Sequence, residues 1–344
     1  MSPPPLIVNA PMYGYADGQL AAAVSAAGGY GFIAGGYNFT TNSPQLDKLQ
    51  HELDTARSIL QITSPDDPLP IGVGCLTVQA DGIIQNVLPI LLKARVTGIW
   101  LSFPQHGTDH GPIITAVQEL RQANAWDVSV YVQVGTVNAA REALEVGADV
   151  LVVQGSDAGG HQWAQGASII ALLPEVGDMV REVGKSAEIR LLAAGGIVDA
   201  RGVVAAIALG ADGVVMGTRF IATVECSAPD TAKQQILSAV DGGSATVKSR
   251  KHDVFQSTDF WPIRYDGRAI IGPCYKEYAG GIADEEVIRR HNEAKENGEA
   301  ERTIIWAGAG IGSIRKIVSV AELLQTIYAE SKLAVTRLND AFGI

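Results

Sequence analysis

Histidine changes charge near neutrality, so a histidine held in a defined frame is a candidate for moving protons. His161 has such a frame, in Gln154-Gly155-Ser156-Asp157-Ala158-Gly159-Gly160-His161. The apolar run Val150–Gln154 leads into it, and a polar Gln154 at the end of that run is expected to point into a cavity mouth. Gly159 and Gly160 would let the backbone pass close to a flat ligand, with His161 beside it. The alternative is a histidine on a surface loop. His51, His106, His110, His252 and His291 lack this frame, and the spacing of His106, Asp109 and His110 is too generic to specify a metal site.

Two more clusters, Ala193-Ala194-Gly195-Gly196-Ile197 and Val215-Met216-Gly217-Thr218-Arg219, each close an apolar run. Backbone N–H groups approach a phosphate closely only where no side chain intervenes, and a helix start adds positive potential. Either cluster alone could simply make a tight turn. Together, one strand–helix unit apart, Gly195, Gly196, Met216, Gly217 and Thr218 are read as a phosphate site. Near the start, Ala10-Pro11-Met12 ends another apolar run and offers backbone groups with a soft side chain. Such a surface suits a flavin ring, though by itself the signal is weak.

These residues need a scaffold that gathers strand ends. Eight apolar runs read as strands: Leu6–Asn9, Gly31–Ala34, Ile71–Gly74, Gly98–Ser102, Ser129–Val134, Val150–Gln154, Arg190–Ala194 and Gly213–Met216. Helical patterns alternate with them, including Gly18–Ala27, Pro44–Ile62, Ile113–Ala123, Val137–Val146, Ile169–Val183 and Arg201–Leu209. An internal echo supports a repeating unit. Glu142–Val150 and Ala205–Gly213 both run an Ala-rich helix into Gly-Ala-Asp and then a strand. The pattern predicts an α/β fold, a closed (β/α)8 TIM barrel, over an open doubly wound sheet. Barrels of this kind commonly bind phosphate at the loops after their last two strands.

From about 225 to 302 the sequence turns polar and irregular, before Ile304–Gly312 and a final amphipathic helix, Val320–Asn339. We read residues 1–224 and 303–344 as the barrel, and 225–302 as an inserted lobe between the eighth strand and the closing helix, near the barrel mouth.

Composition narrows the function classes. The chain has 344 residues, 47% hydrophobic and 18% charged, with a net charge of −11. It is long and apolar enough for a large core, and too acidic to favour nucleic acid or an anionic membrane. No apolar run is long enough for a membrane span, and Met1-Ser2-Pro3-Pro4-Pro5 does not resemble a secretory signal. Cys75, Cys226 and Cys274, odd in number and far apart, fit free thiols in a reducing, cytoplasmic setting.

Taken together, Ala10-Pro11-Met12, Gln154 through His161, Ala194-Gly195-Gly196-Ile197 and Met216-Gly217-Thr218-Arg219-Phe220 resemble the nitronate monooxygenase family, also called 2-nitropropane dioxygenases. The resemblance extends to Leu172-Leu173-Pro174-Glu175-Val176, Trp261-Pro262, Tyr265–Ile271 and Ala307–Gly312. It implies a TIM barrel with noncovalent FMN, which oxidises alkyl nitronates with O2 to a carbonyl compound and nitrite. It makes His161 the active-site histidine, places Gln154 and Gly159 at the flavin, and Gly196, Met216, Gly217 and Thr218 at its phosphate. Two positions depart from the family pattern. Gly74 stands where many members have Asn, removing a polar contact to flavin or substrate, and Asp157 stands where many have Glu. The competing reading is an FMN-dependent NAD(P)H reductase of an enoyl thioester or quinone on the same scaffold. A third is a non-enzymatic binder of a phosphate ligand. A homo-oligomer is compatible with all three.

Overall fold

The computed structural model describes residues 4–107, 109–258 and 260–343. The opening Met1-Ser2-Pro3, read above as part of a non-signal start, lies outside them. The strands in chain order are β1 (Leu6–Asn9), β2 (Gly31–Gly36), β3 (Leu69–Leu76), β4 (Val96–Ser102), β5 (Ser129–Val134), β6 (Val150–Gln154), β7 (Gly160–Trp163), β8 (Arg190–Ala194), β9 (Gly213–Met216), β10 (Thr246–Ser249) and β11 (Tyr265–Ile270). Eight of them make one parallel sheet in the order β1-β9-β8-β6-β5-β4-β3-β2. A parallel bridge from Val8 to Tyr30 joins its two edges, so the sheet closes as the expected TIM barrel.

Strand alternation sorts the side chains into two layers. Val8, Phe32, Trp100, Tyr131, Val152, Leu192 and Val215 fill the barrel lumen, while Ile7, Ile33, Val130 and Leu151 face the surrounding helices. The internal echo has a physical basis. Gly147 and Gly210 both take positive φ, +94° and +101°, just past the helices Val137–Glu145 and Ala200–Ala208. The aspartate that follows each then accepts the N–H of the neighbouring strand: Asp149 from Val130 at 2.6 Å, Asp212 from Leu191 at 2.7 Å. Each repeat therefore anchors its own strand to the one before it.

The stretch 225–302 begins against the barrel and continues into a lobe. Cys226, Ala228, Ala232 and Ile236 join the barrel core, and the helix Asp230–Ser238 is held there by buried Lys233, whose Nζ donates to the carbonyls of Thr223 and Cys226. Beyond it, β10, β11 and β7 form a small antiparallel sheet, with β11 in the middle. The helices Lys251–Gln256, Pro273–Ala279 and Asp284–Glu296 accompany it around a core of Phe255, Ala269, Cys274 and Val287. Strand β7 comes from the barrel's own β6–β8 connection, so this lobe is stitched to the barrel mouth. All three cysteines are buried and free. Among the described residues no helix is long and apolar enough to cross a membrane.

Candidate active site

A cavity of about 400 Å³ opens at the C-terminal ends of the barrel strands. Ala10, Pro11, Met12, Gln154, Gly159, Gly160, His161, Gly195, Gly196, Gly217 and Thr218 all line it. Residues from four separate loops thus converge as the sequence reading expects. Two named residues do not reach the cavity. The Met216 side chain is fully buried in the layer between sheet and helices, because it faces outward from β9. Its carbonyl instead accepts the Ala10 N–H at 2.9 Å, tying the β1 end to the β9 loop. Gly74 lies behind Pro11, where a Cβ would stand 2.5 Å from the proline Cβ and Cγ. Its lack of a side chain makes room for that ring, and the expectation of a lost polar contact is replaced by one of packing.

The glycine clusters form a backbone cradle. Gly195 and Gly196 have φ of +112° and +73°, values that L side chains rarely adopt. Their N–H groups, and those of Gly217 and Thr218, take no acceptor among the described residues. Unsatisfied amides facing a cavity are expected where a ligand supplies the acceptors. The helix after Gly217 is a single turn, Thr218–Ile221, so the cradle depends on amides more than on a helix end. Sequence reasoning missed a further contributor. Gly308 and Gly310 also line the cavity; the Gly308 N–H donates to Thr218 Oγ1 at 2.9 Å, and the Ala309 N–H to the Asp157 carbonyl at 2.9 Å. At the cavity floor the indole N–H of buried Trp100 also lacks an acceptor among the described residues.

His161 does not sit on a loop. It lies in β7, paired with Gly267 of β11. Its carbonyl accepts from Gln154 Nε2 at 3.0 Å, and Gln154 Oε1 accepts from Gln133 Nε2 at 2.8 Å. Gln154 lines the cavity, yet its amide is engaged in fixing this strand. The imidazole stacks on Trp261 with ring centres 3.7 Å apart and planes 15° from parallel. Trp306 lies at 4.7 Å on a tilted approach, and Phe103 at 6.3 Å. His161 Nε2 meets Asp253 Oδ1 at 2.7 Å.

Asp253 went unseen in the sequence because it lies in the irregular stretch, far along the chain from His161. Its neighbour His252 is pushed below its usual pKa, chiefly by burial. Asp266, near His161 on the paired strand, is raised by burial despite Lys248 at 3.4 Å. Lobe cations lock the loops in place. Arg268 donates to the Ser156 carbonyl, Lys248 to those of Trp163 and Ala164, and Arg250 to those of Trp261, Pro262 and Tyr265.

A TIM barrel with an amide cradle at β8 and β9 and a stacked histidine at β6–β7 has the layout of a barrel enzyme acting at its C-terminal face. The nitronate monooxygenase family model matches residues 114–330. A nitronate monooxygenase of Neurospora crassa is 42% identical over 97% of this chain and 91% of its own length. One from Metarhizium robertsii is 33% identical over 96% and 92%. Among solved structures, the nitroalkane oxidase of Streptomyces ansochromogenes superposes with a TM-score of 0.74 at 25% identity, covering 97% of this chain and 98% of that one. FabK from Thermotoga maritima gives 0.72 at 25% identity, covering 97% and 95%. The chain belongs to the nitronate monooxygenase family, a family of flavin-dependent oxidoreductases.

Proposed function

We propose that this protein binds one FMN and oxidises alkyl nitronates with O2 to a carbonyl compound and nitrite, and that it also accepts neutral nitroalkanes. The observation that carries the reading is His161, stacked in the same cavity as the cradle of unsatisfied amides. Gly195, Gly196, Gly217 and Thr218 would hold the terminal phosphate through backbone N–H groups. Ala10, Pro11, Met12, Gly159 and Gly160 would border the ring. Gly308 and Gly310 would close the cradle from the far side. Bound FMN would supply the electron acceptor.

The chain's own residues supply binding and proton control. Phe103, Trp261 and Trp306 screen the histidine from bulk water and give an apolar wall for the substrate's alkyl group. His161 removes the α-proton of a neutral nitroalkane, or orients a preformed nitronate and offsets its charge when protonated. We take 1–224 with 303–344 as the FMN-binding barrel, against which the helix Asp230–Ser238 packs, and the rest of 225–302 as the lobe that completes the histidine's surroundings.

The test is anaerobic mixing of the purified protein with a panel of nitronates and, separately, with NADH and NADPH. Bleaching of the flavin band by nitronates alone supports the reading. Rapid bleaching by NAD(P)H, with none by nitronates, would assign the reductase activity instead. Release of the pigment by denaturation and chromatography should yield FMN.

A further inference from the structure

The lobe contributes a carboxylate to a histidine that the barrel mouth presents. Asp253 is almost fully buried on the helix Lys251–Gln256, and its Oδ1 receives His161 Nε2 at 2.7 Å. Thr258, which also lines the cavity, donates its hydroxyl to the same oxygen at 3.3 Å and its backbone N–H to the Asp253 carbonyl at 2.9 Å. The carboxylate is thus held from its own element while it holds the ring. A carboxylate only accepts, so the proton of a neutral imidazole in this bond resides on Nε2. Nδ1 then carries the lone pair. It takes no partner among the described residues, and the ring lines the cavity.

We propose that Asp253 is a positioning residue, which fixes the proton on Nε2 of His161 and so presents Nδ1 to the cavity as the base. The inference rests on the reading of His161 as the group that deprotonates neutral nitroalkanes. In that step the α-C–H bond breaks and the proton passes to the Nδ1 lone pair. The bonding pair stays with the substrate, which becomes the nitronate. The ring becomes an imidazolium whose new charge meets Asp253 at its Nε2 edge and the indole of Trp261 across its stacked face. A preformed nitronate skips this transfer and needs Asp253 far less.

Two measurements test the assignment. The first is 15N NMR of histidine-labelled protein, with the His161 signals identified by their loss in His161→Asn, taken where the ring is neutral. A protonated Nε2 and an unprotonated Nδ1 are expected; the opposite tautomer overturns the proposal. This reading needs no Asp253 variant to fold. The second compares kcat/KM for a neutral nitroalkane and its preformed nitronate in Asp253→Asn, which keeps the shape and removes the charge. The expected loss is roughly 10²-fold or more on the nitroalkane and under about tenfold on the nitronate. Equal losses on both, or none on either, would reduce Asp253 to packing and overturn the proposal. If His161→Asn itself keeps full nitroalkane activity, the base reading of His161 fails separately, and the NMR tautomer still decides whether Asp253 fixes the ring.

Discussion

Pro11 occupies the space that a side chain at position 74 would need: a Cβ on Gly74 would lie 2.5 Å from both Cβ and Cγ of the proline ring. Pro11, just past β1, and Gly74, toward the end of β3, are therefore fitted to each other, with Pro11 in the cavity wall.

Gly74→Asn, which moves the chain toward the residue many family members carry, should consequently harm this protein. Forcing extra atoms into a packed site typically costs about 1–3 kcal/mol. A lowered Tm and a lower flavin content per chain are expected. The double variant Gly74→Asn/Pro11→Ala should recover part of both, because the two positions are in contact. Full flavin content and an unchanged Tm in the single variant would refute the fit.

The cradle makes a second prediction. A Cβ at Gly310 would stand 2.3 Å from the carbonyl oxygen of Gly196, which is backbone and cannot swing aside. Gly310→Ala should push the Gly195–Gly196 turn out of place and leave a folded barrel with little flavin. Visible absorbance after purification, beside a far-UV circular dichroism spectrum, reads both quantities. A fully yellow Gly310→Ala protein would mean that the phosphate does not depend on this turn.

Acid sensitivity gives a third. His110 is buried, with Nε2 2.7 Å from Thr77 Oγ1, and burial pushes its pKa down to about 4. The unfolded chain, with an ordinary histidine near 6.5, binds the extra proton first. Stability is therefore full above about pH 6.5 and declines as the pH falls toward 4, by on the order of 3 kcal/mol for this group. His252 and His291 are shifted in the same direction, chiefly by burial, and add to the decline. In urea unfolding at pH 7 and pH 4.5, His110→Gln should lose less stability between the two conditions than the parent protein. An equal loss would remove His110 from the acid response.

The barrel was legible because its signals are local. Each strand is an apolar run closed by glycine or a polar residue, and Val150–Gln154, Ser129–Val134, Arg190–Ala194 and Gly213–Met216 have the same ends in sequence and structure. The lobe was not, for the converse reason. Strand β7 is four residues long, starts on the second glycine of the pair Gly159-Gly160, and gains its partner β11 only from a segment about a hundred residues later. The short helix Leu88–Ala94, with the wide turn Ile83–Val87 before it, likewise has too few residues to show a helical period. The site divides along the same line. Glycine clusters announce themselves by composition, whereas Asp253 is an ordinary acid on a short helix until folding brings it to His161. Gly308 and Gly310 carried a usable signal in the Gly-rich run Ala307–Gly312; their place opposite Gly196 did not follow from it.

The central claim is that His161 handles a proton in this cavity. The direct measurement is kcat/KM for both forms of one nitroalkane, neutral and preformed nitronate, in the parent protein and in His161→Asn of matched flavin content. The account predicts a loss of roughly 10²-fold or more on the neutral form, the usual scale for a missing general base, and a distinctly smaller loss on the nitronate. Equal losses would limit His161 to holding the anion, and no loss on either form would contradict the account.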